Sequence, residues 1–388
     1  MRFPRRFFPG AAFLALSFSY SIAGNNNRSI AVKKIEGDGK AGSIATRILN
    51  NALVKAGGFR LVPNPNGVPV ASAKIDGNKL VAELKGAEGK TLFTREYERG
   101  NLELDALQFA DDITLALTNV PGIATSQIVF VVTRNRRREL FVCDYDGRNA
   151  RPFLPGGGES NVAPAISPDG SKLAFTQLNR GAGSLVLFDF QEESRVQLTD
   201  EPVAFAQSAW SPDGKMLAVA LAKLPQKQAD LHLIRFRGRQ APRIVLETPV
   251  SETRPSWSPD GDRIVYSAPI GGNRNGLFFI KPDQRSPQPE AFPTGFANSS
   301  SPAWSPDGRQ VAFVSTDSRG RKSICIAYPE GGRQPRRVTA GTDPAWGADS
   351  RHLVFTTGWE LRSLDLTTGK TAILVKGIGS ISEPTWTR

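Results

Sequence analysis

Histidine, cysteine and methionine are each present only twice in these 388 residues. With two histidines, His232 and His352, in separate strand-like stretches, imidazole-based metal centres and Ser-His-Asp chemistry have almost nothing to work with. The two cysteines, Cys143 and Cys325, lie in the apolar runs ELFVCDYDG and SICIAYPEGG. They are expected to be buried thiols and not a disulfide. The body of the chain has no apolar run of about eighteen residues, which excludes a membrane-spanning helix there. Phosphate-loop chemistry is missing too. The glycine run Gly156–Gly158 is followed by neither Lys-Ser/Thr nor a helix. DYDG at Asp144 has two carboxylates near a glycine, but no third ligand and no glutamate at position twelve of a calcium loop, so a hairpin turn explains it.

The N-terminus is different in kind. MRFPRRF carries Arg2, Arg5 and Arg6, and the apolar stretch AAFLALSFSYSIAG follows, with small residues at Ser21 and Ala23. Residues 1–23 are expected to be a cleaved export signal, with no following cysteine for a lipid anchor. The adjacent Arg5 and Arg6 are compatible with the twin-arginine route. The formal net charge is +12, of which this segment supplies three positive charges. The densest basic run elsewhere is RNRRR, Arg134 to Arg138. A basic exported protein can meet nucleic acid, anionic lipid or anionic glycan. The run has no interleaved aromatic to stack a base, however, and it separates two strand-like stretches. It reads as a solvated hairpin loop, with no nucleic-acid role expected.

The dominant feature is repetition. Six segments align on one position: APAISPDGSKLAFT at Ile166, QSAWSPDGKMLAVA at Trp210, RPSWSPDGDRIVYS at Trp257, SPAWSPDGRQVAFV at Trp304, DPAWGADSRHLVFT at Trp346 and EPTWTR at Trp386. The intervals are 44, 47, 47, 42 and 40 residues, the size of a four-stranded propeller blade. In Ser-Pro-Asp-Gly, proline presets φ, aspartate bonds back to nearby backbone and glycine closes the turn. Alternating strands such as KLAFT and RIVYS follow each turn. Before the first motif, QIVFVVTR, ELFVCDYDG and ARPFLP read as strands two, three and four of a blade, and EPTW supplies a first strand. The expected architecture over residues 123–388 is a mainly β, six-bladed propeller closed by its C-terminal strand, which leaves no free edge.

Residues 24–122 do not carry the repeat. RSIAVKKIEG, FRLVPN, KLVAELKG and KTLFTREYE read as strands. IATRILNNALVKAGG reads as a helix with an apolar stripe of Ile44, Ile48, Ala52 and Val54 or Ala56, capped by Gly57-Gly58. A second helix begins at the N-cap Asn101 and buries Leu104, Leu107, Ala110, Ile113 and Leu117. This is a small α+β domain.

The export signal, the α+β domain whose last helix runs into an IVFVV strand, the CDYDGRN stretch and the WSPDG blades ending on a Trp strand together resemble the TolB family of the Tol-Pal envelope system. The resemblance covers nearly the whole chain after the signal. It implies a periplasmic scaffold, a monomer without cofactor or catalysis, that binds the outer-membrane lipoprotein Pal at one mouth of the propeller channel. The system supports outer-membrane integrity, constriction at division and protein import. By position, the Pal-facing loops lead into the Trp strands. They place Phe205 and Gln207, then Glu252, Thr253 and Arg254, at the mouth. Ser299 and Ser300, Thr342 and Asp343, and Glu383 follow from later repeats. A segment at about Asn25 to Val32 would contact TolA. The alternative is an exported propeller enzyme or a glycan- or metal-binding propeller with another client. Its metal form would hold Ca²⁺ in the channel through Glu252, Asp343 and Glu383.

Overall fold

The computed structural model describes residues 28–387 except positions 38, 99, 155–159, 180–181, 226–227, 237–242 and 285–286. The expected export signal and the glycine run at 156–158 lie outside the described residues, as do positions 25–27 of the segment assigned to TolA contact. The described chain forms two compact units, meeting in sequence between Ser126 and Gln127. Among the described residues no helix is long and apolar enough to cross a membrane.

The first unit is a five-stranded sheet with two helices. In chain order the elements are β1 (Ser29–Val32), α1 (Lys40–Lys55), β2 (Arg60–Leu61), β3 (Val70–Asp76), β4 (Lys79–Lys85), β5 (Thr91–Tyr97) and α2 (Leu102–Thr118). The sheet order is β2-β1-β3-β4-β5, with β1 parallel to both its neighbours. Asn101 caps α2 as expected: its Oδ1 accepts from the backbone N of Glu103 at 2.9 Å and of Leu104 at 3.4 Å. The stripe expected for α1 is rotated. Ala45, Leu49, Ala52 and Leu53 are buried, while Ile44 is 43% and Val54 48% exposed. The cause is a close approach at Gly42, where a Cβ would stand 2.3 Å from the Ile35 carbonyl oxygen. That contact turns the small-residue face inward. Gly42→Ala is therefore expected to lose roughly 1–2 kcal/mol in urea unfolding, because the steric cost exceeds the helix-propensity gain.

The second unit is all strand. Four sheets have four strands each, and an eight-stranded sheet spans Ser160–Ile166 to Arg243–Leu246. Within the eight-stranded sheet, the two halves meet only at the pair Gly183↔Val203. The sheets follow one another in a propeller-like arrangement. Each sheet can be named by the aligned residue at the end of its innermost strand. In the Trp386 sheet, Ser380–Trp386 pairs antiparallel with Gln127–Arg134, residues from opposite ends of this unit.

The repeat's chemistry is visible in the hydrogen bonds. The hydroxyls of Ser167, Ser211, Ser258 and Ser305 donate to Asp169, Asp213, Asp260 and Asp307 at 2.5–2.6 Å. The same hydroxyls accept the backbone N–H five residues on. Serine thus locks the turn from both sides, a role the turn reading assigned only to Pro, Asp and Gly. The following glycines have φ of 67–80°, which an L side chain would strain. The tryptophans tie repeat to repeat. Trp210, Trp257 and Trp346 donate their indole N–H to Ala165, Ala209 and Ala303 carbonyls at 2.9–3.1 Å. Each acceptor is the residue just before the aligned position of the preceding repeat. Trp304 departs from this: Ser256 occupies the equivalent place, and its hydroxyl takes the Trp304 backbone N–H at 3.0 Å.

Both cysteines are buried and unpaired. Burial pushes both thiols upward, to about 11 at Cys325. His352 is buried with Nδ1 2.5 Å from Asp349, the aspartate of its own turn. His232 is also buried, with Nδ1 against the Asp230 carbonyl.

Candidate functional site

In five of the six repeats the innermost strand breaks register three residues before the aligned position, at a residue–proline pair; in the Trp210 repeat the shift falls earlier, between Val203 and Phe205. The pairs are Ala163-Pro164, Arg254-Pro255, Ser301-Pro302, Asp343-Pro344 and Glu383-Pro384; the Trp210 repeat has Gln207-Ser208 instead. Proline cannot donate to the ladder, so the strand bulges there. The residue before each proline has φ between 51° and 55°, a left-handed conformation costly for a side chain. All twelve residues line one cavity of about 110 Å³. Five strained positions around one space are the pattern expected of a functional ring.

Charge crosses that ring. Arg254 Nη1 donates to Asp343 Oδ1 at 2.9 Å, and its Nη2 lies 3.8 Å from Glu383 Oε1. Its partners come from the second and third sheets along, not from the adjoining Trp304 sheet. The other Glu383 oxygen accepts the Ala163 N–H at 2.7 Å. Gln207 Oε1 accepts the Arg254 N–H at 3.1 Å. One guanidinium therefore bridges two carboxylates and leaves one excess negative charge.

A second space of about 250 Å³ shares Gln207, Arg254 and Ser301 with the first. It adds Phe205, Thr253, Ser267, Asn275 and Ser300. Thr253 is fixed by its hydroxyl, 2.9 Å from that of Ser267.

The structure thus brings together Phe205, Gln207, Thr253, Arg254 and Ser300 in one space, and Gln207, Arg254, Asp343 and Glu383 in the other. It does not bring the remaining expected residues there. Ser299 is fully buried, its hydroxyl 2.8 Å from Thr294. Thr342 bonds to Thr356 at 3.1 Å and lines neither space. Glu252 is 1% exposed, with Oε1 taken by the Thr248 hydroxyl and Oε2 lacking a partner among the described residues. Alternation explains Glu252 and Ser299, each one residue before a position that lines the second space, Thr253 and Ser300, so that their side chains face the sheet's own packing. Thr342 shares the offset of Thr253 and Ser300, and that space does not extend to its sheet. The calcium set of Glu252, Asp343 and Glu383 is not assembled, since Glu252 is elsewhere and Arg254 occupies the space between the other two. Among the described residues no group of three or more His, Cys, Asp or Glu could hold a metal. Ala163 and Ser208 were missed. The residue–proline pair three residues before the aligned position finds Ala163; Ser208 is found only by alignment, since it stands where the other repeats have the proline.

The expected TolA segment is partly committed elsewhere. Ser29–Val32 pairs on both sides within its sheet, with Ile30 and Ala31 buried.

The family profile of the TolB beta propeller domain matches residues 115–387. Among curated proteins, the chain is 30% identical over 154 residues to a protein TolB homolog of Chlorobaculum tepidum, covering 39% of this chain and 35% of that one. It is 31% identical over 115 residues to the Tol-Pal system protein TolB of Desulfosudis oleivorans, covering 30% and 26%. The matched segments thus span about a third or less of these relatives' length. Among solved structures, TolB from Acinetobacter baumannii superposes with a TM-score of 0.75 at 17% identity, covering 93% of this chain and 96% of that one. A nidogen/laminin complex chain superposes at 0.54 and 9% identity, over 68% and 98%. At those identities the likeness is one of fold. With the two helices of the first unit aside, the chain is mainly β, and over residues 115–387 it belongs to the TolB beta propeller domain family.

Proposed function

We propose that the chain is a periplasmic protein-binding scaffold of the Tol-Pal system. The propeller is read as a six-bladed ring: four free-standing four-stranded blades, and two more joined by the Gly183↔Val203 pair. Ser380–Trp386 closes it as the first strand of the blade begun by Gln127–Arg134. One channel mouth, built from the two spaces described above, receives a Pal-like outer-membrane lipoprotein. Binding, not catalysis, is the role, and it supports outer-membrane integrity and constriction at cell division. Because Ser29–Val32 is held inside its sheet, TolA contact falls to residues ahead of it.

The observation that carries this reading is the ring of five strained positions around one space, four of them with polar side chains, crossed by Arg254. Strain kept at five aligned positions suits a binding rim and is wasted on a plain core. Relatives named as Tol-Pal system proteins supply the partner class. The test is affinity for the Pal domain encoded in the same genome, by calorimetry. Thr253→Trp fills the larger space and is expected to weaken binding at least tenfold, about 1.4 kcal/mol. Unchanged affinity would remove the site assignment, and no binding by the parent chain would remove the Pal reading.

A further inference from the structure

The basic run Arg134–Arg138 is unused by the channel mouth. It forms the tip of a hairpin, with Arg134 paired to Arg137 and the turn residues Asn135 and Arg136 at φ 49° and 64°. All five tip residues are exposed. Two further hairpins stand beside it. The Gly358 carbonyl accepts the N–H of Ile381 at 2.7 Å and the hydroxyl of Ser380 at 2.9 Å. Ser380 in turn pairs with Thr133, at the foot of the arginine hairpin. The hairpin of Gly358 carries Trp359, 69% exposed, whereas the other five of the six tryptophans are buried. On the far side, the N–H of Gly341, which precedes Thr342–Trp346 of the Trp359-bearing sheet, donates to the Lys322 carbonyl. Lys322 ends the hairpin that also carries Arg319 and Arg321.

Three successive sheets therefore present a rim ordered basic, tryptophan, basic. Seven cations face three carboxylates, Glu139, Asp317 and Glu360. Arg134 and Arg321 pair with Glu139 and Asp317. Arg136, Arg137, Arg138, Arg319 and Lys322 have no ion-pair partner among the described residues. The sequence run lacked an aromatic; the fold supplies one from a residue more than two hundred positions away.

We propose that this rim docks on an anionic phospholipid surface, with Trp359 seated at the headgroup level and the flanking arginines and lysine among the phosphates. Hairpin tips have no shaped pocket, so they suit a broad and charge-dense surface more than a single small ligand. Tryptophan prefers the membrane–water interface, and each Lys or Arg near such a surface adds attraction. Neither cluster alone would hold: an exposed tryptophan without charge is weak, and exposed cations without an anchor are screened by salt.

The test uses the full chain and the fluorescence of Trp359 with vesicles of brominated phosphatidylglycerol. The N-terminal apolar stretch contains no tryptophan, so its own insertion is silent in this readout. A blue shift and quenching are expected with phosphatidylglycerol, and neither with phosphatidylcholine. Both signals should vanish in Trp359→Phe. In Arg136→Glu/Arg137→Glu/Arg138→Glu, apparent affinity should fall roughly a hundredfold. Thermal melting of the variants, whose changes lie on exposed tips, reports folding. Absence of quenching with phosphatidylglycerol, or equal quenching with phosphatidylcholine, overturns the proposal. So does a Trp359 response to polyglutamate with none to vesicles, which would make the rim a dock for an acidic protein. None of these outcomes depends on the Pal reading.

Discussion

Removing residues 382–388 is expected to lower the melting temperature by roughly 10–20 °C, far beyond an ordinary terminal trim. The segment includes Trp386, 7% exposed, and most of the strand that pairs with Gln127–Arg134. It also takes away the Thr387 hydroxyl, which accepts the Gln127 N–H at 2.7 Å, and the carboxylate that accepts the Ala163 N–H. Losing one buried tryptophan costs about 3–5 kcal/mol. The loss also bares an edge whose residues Ile128 to Val132 are fully buried in the intact protein. Such an edge invites pairing with other chains, so concentration-dependent aggregation should accompany the lower melting point. Trp386→Ala alone separates the two effects, because it empties the packing site and keeps the ladder. Calorimetric scans of the three proteins decide the matter. A truncated chain that melts with the parent would mean the strand is not integral to its sheet, and the six-blade reading would go with it.

How far the sequence reveals this molecule depends on which residue makes the contact. Repeat spacing exposed the sheets, because four of the six units spell their turn in the same four letters and the strands alternate. The second helix was legible from Asn101 and its stripe. The first helix was misread because periodicity weighs large residues, and its face is set by the small Gly42 against the Ile35 carbonyl, with Ala45 buried one turn on. At the candidate site, position relative to Trp257 raised Thr253 and Arg254, which line the larger space. It could not distinguish Glu252, one residue earlier, which alternation turns into the interior. The link from Arg254 to Asp343 was out of reach for another reason. It spans 89 residues and skips the adjoining sheet, so nothing local encodes it.

Glu252→Gln is expected to make the protein more stable at about pH 8 by roughly 2–4 kcal/mol, and no more stable near pH 4. The parent carboxyl is held in the interior with one oxygen satisfied by Thr248 and the other by nothing among the described residues. Burial pushes its pKa up to about 7, and the Asp230 and Glu247 carboxylates add to the rise while the Thr248 hydroxyl opposes it. The Tyr266 hydroxyl is raised as well, by burial first and then by the charge of Glu252. Since the folded value lies above the ordinary value of 4.5, the group's contribution is whole below about pH 4.5. It is lost as pH rises through about 7, where the folded protein must either hold a buried anion or keep a proton against solution. Glutamine keeps the acceptor for Thr248 and never ionises, so the two stability curves should converge in acid and part toward neutrality. Urea unfolding across that range is the measurement, and parallel curves would show that Glu252 ionises as freely folded as unfolded. A protein that keeps such a residue beside Thr253 and Arg254 gives up stability next to one of the five strained positions of the ring. That trade is the usual mark of a site selected for something other than packing.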